Sequence, residues 1–164
     1  MSSPLTPGSH RPVRLFLDAG VILEGCFSAW GASKAVLILA TLRANFTVVL
    51  AEAIEREVQR TLARKISSLD AATAATIAQG VSGWLDRVRV ERYPLPTEED
   101  IRAQLSTVLP ALRHVNDLPA VVTALQASPD WVISTNTEHW NERLANRTGL
   151  RIATPQAFLP HLRP

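Results

Sequence analysis

The chain has one cysteine, Cys26, among its 164 residues. It therefore forms no internal disulfide, and a reducing cytoplasm is its simplest setting. Nothing near Cys26 in sequence lowers a thiol pKa, which argues against a cysteine nucleophile. No apolar run approaches the length of a membrane span, so no membrane partner is expected. The start, Met1 to Pro12, is rich in Ser, Pro and Gly but has no hydrophobic signal region. It reads as a flexible leader, with a single domain following at 13–164. Charge of one sign is also scarce. The 17 basic and 15 acidic side chains leave a net +2. That is too little to argue for nucleic acid, although a sequence pI near 9.2 does not oppose it. Internal repeats and low-complexity blocks are missing. Ala19 to Gly25 lacks the glycine-rich turn of a dinucleotide-binding protein. Gly20 stands where a phosphatase with an aspartate nucleophile wants its second acid.

What is there describes a globular domain with a real core: 46% hydrophobic residues and 20% charged. Leu15-Phe16-Leu17 is a short apolar run that reads as a buried strand, ended by Asp18 with Gly20 as a turn residue. A dense apolar pattern predicts a helix over Ser33 to Ala44, closed by Asn45. Phe46 to Leu50 is a β-branched and aromatic strand. Ala51 to Lys65 is a helix whose stripe is Ile54, Val58, Leu62 and Ile66. Leu69 to Val88 is a further helix. Val88 to Tyr93 alternates as an edge strand that Pro94 stops. Thr97 caps another helix, and Glu98, Glu99 and Asp100 sit in its first turn, where the helix dipole favours acids. Asn116 to Ser128 is helical with Asp117 at or near its N-cap. Trp131 to Ser134 is a strand, Glu138 to Asn146 a helix closed by Gly149, Leu150 to Ala153 a last strand, and Pro155 to Leu162 a terminal helix. Trp30, Trp84 and Trp131 are core or interface residues. This alternation predicts an α/β fold with a central, largely parallel five-stranded sheet.

In such a sheet, strand exits and helix starts lie on one side. Asp18 leaves the first strand, where it either caps the next turn or faces the crevice. Glu57 lies about 60° from Ile54 around its helix, at the edge of the buried face. Asp117 opens its helix, and Asn136 sits in the exit loop of the fourth strand. These four converge although they are distant in sequence. Carboxylates with an amide are hard oxygen donors that suit Mg²⁺ or Mn²⁺, and a cation removes the repulsion between close acids. Arg56, Arg60 and Arg64 recur every fourth residue away from the stripe. They are either nucleic-acid contacts or a solvated face with Glu partners.

These segments resemble the PIN domain, the metal-dependent ribonuclease fold of VapC-type toxins and RNA-processing nucleases. The likeness runs from about Val13 to Leu162. It is carried by 15–22 (first strand and acid), 57–62 (second acid), 116–125 (third acid and its small-residue helix), 130–140 (strand and loop of the fourth position) and 152–159 (closing strand and helix). No single piece is specific; their order and spacing together are. The resemblance implies a three-layer sandwich and an Mg²⁺- or Mn²⁺-dependent endoribonuclease. Asp18, Glu57 and Asp117 would position the metal, directly or through water. Asn136 would act with them, and Ser134 or Thr135 would orient water. Single-stranded RNA would lie along Arg56, Arg60, Arg64, Lys65, Arg113 and His114. His139 and Trp140 would fix the loop by packing. A small antitoxin filling the acidic cleft and a homodimer are the partners that similar proteins have. Two departures matter. Bacterial members usually carry Asn where this chain has Gly20, and many carry Asp where it has Asn136. Both favour the alternative of a weakened PIN module that binds RNA or a protein.

Overall fold

A computed structural model describes residues 11–162. Five strands form one sheet: β1 (Val13–Leu17), β2 (Phe46–Ala51), β3 (Val90–Tyr93), β4 (Trp131–Ile133) and β5 (Ile152–Ala153). Their order is β3-β2-β1-β4-β5, and every neighbouring pair is parallel. Phe16 lies opposite Val49 on one side and Val132 on the other. The central strands are covered on both faces, so Phe16, Leu17, Val48, Val49, Val132 and Ile133 are wholly buried. That is why these strands read as apolar runs and not as alternating ones. Because all strands run the same way, their carboxyl ends meet along one edge.

Eight helices flank the sheet in a three-layer α/β sandwich: α1 (Ala19–Phe27), α2 (Ala32–Leu42), α3 (Glu52–Ile66), α4 (Ala71–Arg87), α5 (Glu98–Val108), α6 (Leu118–Ala127), α7 (Glu142–Thr148) and α8 (Pro155–Phe158). α1 packs with α2, α3 and α4, and α5 packs with α6 and α7. Among the described residues, no single helix is long and apolar enough to cross a membrane.

Three differences from the sequence reading have physical reasons. α1 replaces the expected turn at Gly20. Asp18 accepts from the Ala19 amide as its N-cap, and Val21, Ile22 and Leu23 are buried on arrival. Burial outweighs the weak helix preference of Gly20 and Gly25. Gly25 also has a packing reason, since a Cβ there would stand 2.5 Å from Leu37 Cδ1. The helix expected from Glu138 starts instead at Glu142, because Asn141 Oδ1 caps it by accepting from the Leu144 amide. Finally, α2 stops at Leu42, short of Asn45, whose carbonyl accepts from the Val13 amide and ties the start of β1 to β2.

The expected leader falls largely on residues 1–10, outside the described residues. Arg11 and Pro12 are described, and Arg11 pairs with Asp130 at 2.7 Å. Of the tryptophans, Trp84 is buried and donates its indole N–H to the Leu37 carbonyl. Trp131 is half-buried against Phe158, whereas Trp30 is 85% exposed.

Candidate active site

Asp18 stands at the carboxyl end of β1, where its amide donates to the Ile133 carbonyl and continues the pairing with β4. Of the two roles open to this residue, the cap is seen directly. One carboxylate oxygen caps α1, and the other accepts from the buried Ser134 hydroxyl at 2.6 Å. Ser134 Oγ in turn accepts from the Asn136 amide at 3.0 Å, so the exit loop of β4 is fastened to the first acid through one hydroxyl. Burial raises the Asp18 pKa above the usual carboxylate range. The Ser134, Ala19 and Trp140 donors act against this, and the nearby charge of Asp117 adds to it.

Glu57 projects from α3. Its side chain reaches solvent, yet desolvation raises its carboxyl pKa, with the charges of Asp18 and Asp117 adding. Arg60 and His139 act in the opposite sense. The three acids thus sense one another across the sheet edge.

Asp117 differs from the other helix-opening acids of the chain. It occupies the N-cap position of α6, but its backbone is already helical after the single turn Val115–Asp117, and its side chain makes no capping bond. Asp70 and Thr97, by contrast, both cap their helices. The Asp117 carboxylate is therefore released from structural duty. Its Oδ2 is buried and has no hydrogen-bond partner among the described residues. His139 Nδ1 lies 2.8 Å away, but off the line a hydrogen bond requires.

Asn136 is exposed, and its Oδ1 accepts from the His139 amide at 3.2 Å. It thus shapes the loop beside the acids. Thr135 is exposed as well, and its hydroxyl lies where a side chain on Gly20 would start: a Cβ there would be 2.6 Å from Thr135 Oγ1. The space freed by glycine is used by this hydroxyl.

Three of the other acids are occupied elsewhere. Glu52 accepts from Arg56 and from the Leu95 amide. Glu55 faces Arg92, and Asp100 completes a capping box with Thr97.

An open groove of about 630 Å³ runs past Glu57 and Asp117, bordered by Arg56, Arg60 and Asn116. Arg64 and Thr61 extend it along α3. Of the six expected RNA contacts, Arg56, Arg60 and Arg64 line this groove, with Arg56 also tied to Glu52 at 2.6 Å. The other three do not line it. Lys65 sits over the Phe27 ring, 5.3 Å from its centroid. Arg113 borders a separate depression with Glu138 and Glu142. His114 stacks edge-on against His139, with centroids 4.9 Å apart.

His139 is the residue that sequence reasoning missed. Packing describes Trp140, which is buried against Phe16, but His139 turns onto the third acid. Its place three residues after Asn136, in the same exit loop, was the available signal.

The donor set suits a divalent cation: hard oxygens, one of them buried and unpartnered, and carboxylates whose charges oppose one another. Among the described residues, no three Asp, Glu, His or Cys side chains are grouped closely enough to hold one ion. Any ion held here would therefore keep several of its waters.

No family model matches the chain, and no curated protein matches it in sequence. Solved structures do match in fold. VapBC2 from Rickettsia felis, bound to a DNA fragment from its promoter, superposes with a TM-score of 0.59 at 13% identity, covering 87% of this chain and 98% of that one. PAE2754 from Pyrobaculum aerophilum gives 0.60 at 12% identity over 98% of both chains. FitAcB from Neisseria gonorrhoeae gives 0.56 at 16% identity, covering 87% of this chain and 98% of that one. The chain has the PIN-like, VapC-like fold that its sequence resembles.

Proposed function

We propose that the chain is a metal-dependent endoribonuclease that hydrolyses RNA phosphodiester bonds. The observation that carries this reading is the Asp117 carboxylate, freed from capping, with a buried unpartnered oxygen, in an edge shared with Asp18 and Glu57.

Asp18, Glu57 and Asp117 would hold Mg²⁺ or Mn²⁺, directly or through water. When bound, such an ion supplies an acidified water and offsets charge on the phosphate oxygens. Ser134 fixes the orientation of the Asp18 carboxylate by donating to one of its oxygens. Arg60 and Arg64, beside Glu57, give the groove the positive border that a phosphate backbone needs. Asn136 and Thr135 shape the mouth of the site. The fold shared with VapBC2 and FitAcB favours a toxin role, with a small antitoxin segment covering the acids.

The test is cleavage of a mixed RNA pool in Mg²⁺ or Mn²⁺ against EDTA, with wild type and Asp18→Asn. Metal-dependent cleavage that disappears in the variant is expected. The loss should exceed the about 10- to 100-fold that removing an outer partner of a metal site costs. Cleavage that survives Asp18→Asn refutes the assignment.

A second reading, a weakened module that binds RNA or a protein, is favoured by one observation: the Asn136 amide oxygen is committed to the His139 amide. Folded, partner-free protein that neither cleaves RNA nor gains thermal stability from either ion would establish it.

A further inference from the structure

We propose that His139 is itself a ligand of the cation, sharing it with Asp117, and that this nitrogen donor turns the site toward transition ions and away from Mg²⁺. The inference rests on the metal-dependent reading above and deepens it.

Nδ1 of His139 and Oδ2 of Asp117 are 2.8 Å apart. At that distance two polar atoms normally share a proton. Here they do not, because the ring's donor direction misses the carboxylate and Oδ2 remains unpartnered. Adjacent ligands of one octahedral ion stand in just this relation. With bonds of about 2.1 Å they lie about 3 Å apart, and each lone pair aims about 45° away from the other ligand, toward the ion. A histidine serving only as counter-ion would point its N–H along the line between the atoms.

The ring is also held as a ligand needs to be. Its backbone amide is fixed by Asn136 Oδ1, its ring packs T-shaped with His114, and the next residue, Trp140, is anchored in the core against Phe16. The ring makes no side-chain hydrogen bond among the described residues. The side chains of both His139 and Asp117 are one-quarter exposed, which leaves the pair open to an ion arriving with its waters.

Imidazole adds little to the binding of Mg²⁺, which prefers oxygen and water, and much to the binding of Co²⁺ or Ni²⁺. The proposal is therefore tested by binding alone, on the full chain, with three probe ions. Calorimetry with Mg²⁺, Mn²⁺ and Co²⁺ is compared between wild type and His139→Phe, a change that keeps an aromatic ring for His114 to pack on. The expected result is Co²⁺ affinity weakened about tenfold or more with Mg²⁺ affinity changed less than about threefold. Pulsed electron resonance of Mn²⁺ bound to wild type should show coupling to a histidine nitrogen, identified by isotope labelling, and this arm needs no variant. Bound Mn²⁺ without nitrogen coupling, or equal weakening of all three ions, overturns His139 as a ligand and leaves the metal-dependent reading intact. Failure of folded wild type to bind any of the three ions overturns both.

Discussion

The two ends of β1 carry the same kinds of side chain in opposite states. At its start, Arg14 donates to both carboxylate oxygens of Glu91, to the Tyr93 hydroxyl and to the last carbonyls of α6, at Ala127 and Ser128. Its own amide donates to Asp130, which also holds Arg11. Each acid there has a cation. At the other end, Asp18 meets Glu57 and Asp117; His139 stands 2.8 Å from Asp117, and the charge of Arg60 acts on Glu57. The helix α6 joins the two places, with its carbonyl end on Arg14 and its opening residue Asp117 among the acids. The first end is complete within the chain and contributes to stability. The second leaves like charges facing one another.

The difference is also one of sign in pH. The Arg14 guanidinium holds the Glu91 carboxyl below its ordinary value of 4.5. The folded state then binds that proton less readily than the unfolded chain. This contribution is fully present above the ordinary carboxylate range and is lost as pH falls through the lowered value. Asp18 and Glu57 are displaced upward, chiefly by desolvation. There the folded state binds protons more readily. Without metal, stability falls as pH rises from the ordinary values of 3.8 and 4.5 through the raised ones, and below that window the penalty is absent.

The contrast between the two ends is tested most severely at Arg14. Arg14→Met should cost about 1–3 kcal/mol in denaturant unfolding while leaving RNA cleavage unchanged. Most of that cost comes from the Ala127 and Ser128 carbonyls left unpaired, because the Tyr93 hydroxyl keeps its bond to Glu91, and Glu91 is well exposed so that solvent screens its charge. A stability loss below about 0.5 kcal/mol would show that this end is not the structural one.

A smaller effect of opposite sign is expected at the other end. Asp18→Asn keeps one acceptor oxygen for the N-cap of α1, presents its amide as a donor to Ser134 Oγ, and removes one of the opposed charges. In metal-free protein at neutral pH it should raise Tm by about 2–4 °C, the response of a chain this size to about 1 kcal/mol. The gain should vanish below the ordinary carboxylate range, and a fall in Tm at neutral pH would mean that the acids do not oppose one another.

The smallest effect is expected for Gly20→Ala. Better helix propensity offsets the displacement of the Thr135 hydroxyl, so stability should stay within about 1 kcal/mol of wild type. Divalent-ion affinity, measured by calorimetry, then reports whether the position of that hydroxyl matters.

Much of this arrangement is legible in the amino-acid pattern. The apolar runs around Phe16, Val48 and Ile133 announce buried parallel strands, and the positions of Asp18, Glu57 and Asp117 relative to them announce one edge. Side-chain duties are not legible there. Asp18 caps α1 while also accepting from Ser134, whereas Asp117 sits at a cap position and caps nothing. Capping depends on the backbone angles of one residue, and those follow from the turn at Val115–Asp117. The α1 helix is hidden by its two glycines, whose cost is outweighed by burial against neighbours remote in sequence.

Local pattern thus specified the order of elements, the parallel sheet and the edge at which the acids gather, because strand and helix periodicities are short-range properties of the chain. Three matters depended on packing in three dimensions: His139 on Asp117, Thr135 over Gly20, and Lys65 drawn away to Phe27. Each is a contact between residues whose approach is set by the path of the backbone between them, and no spacing rule encodes that path.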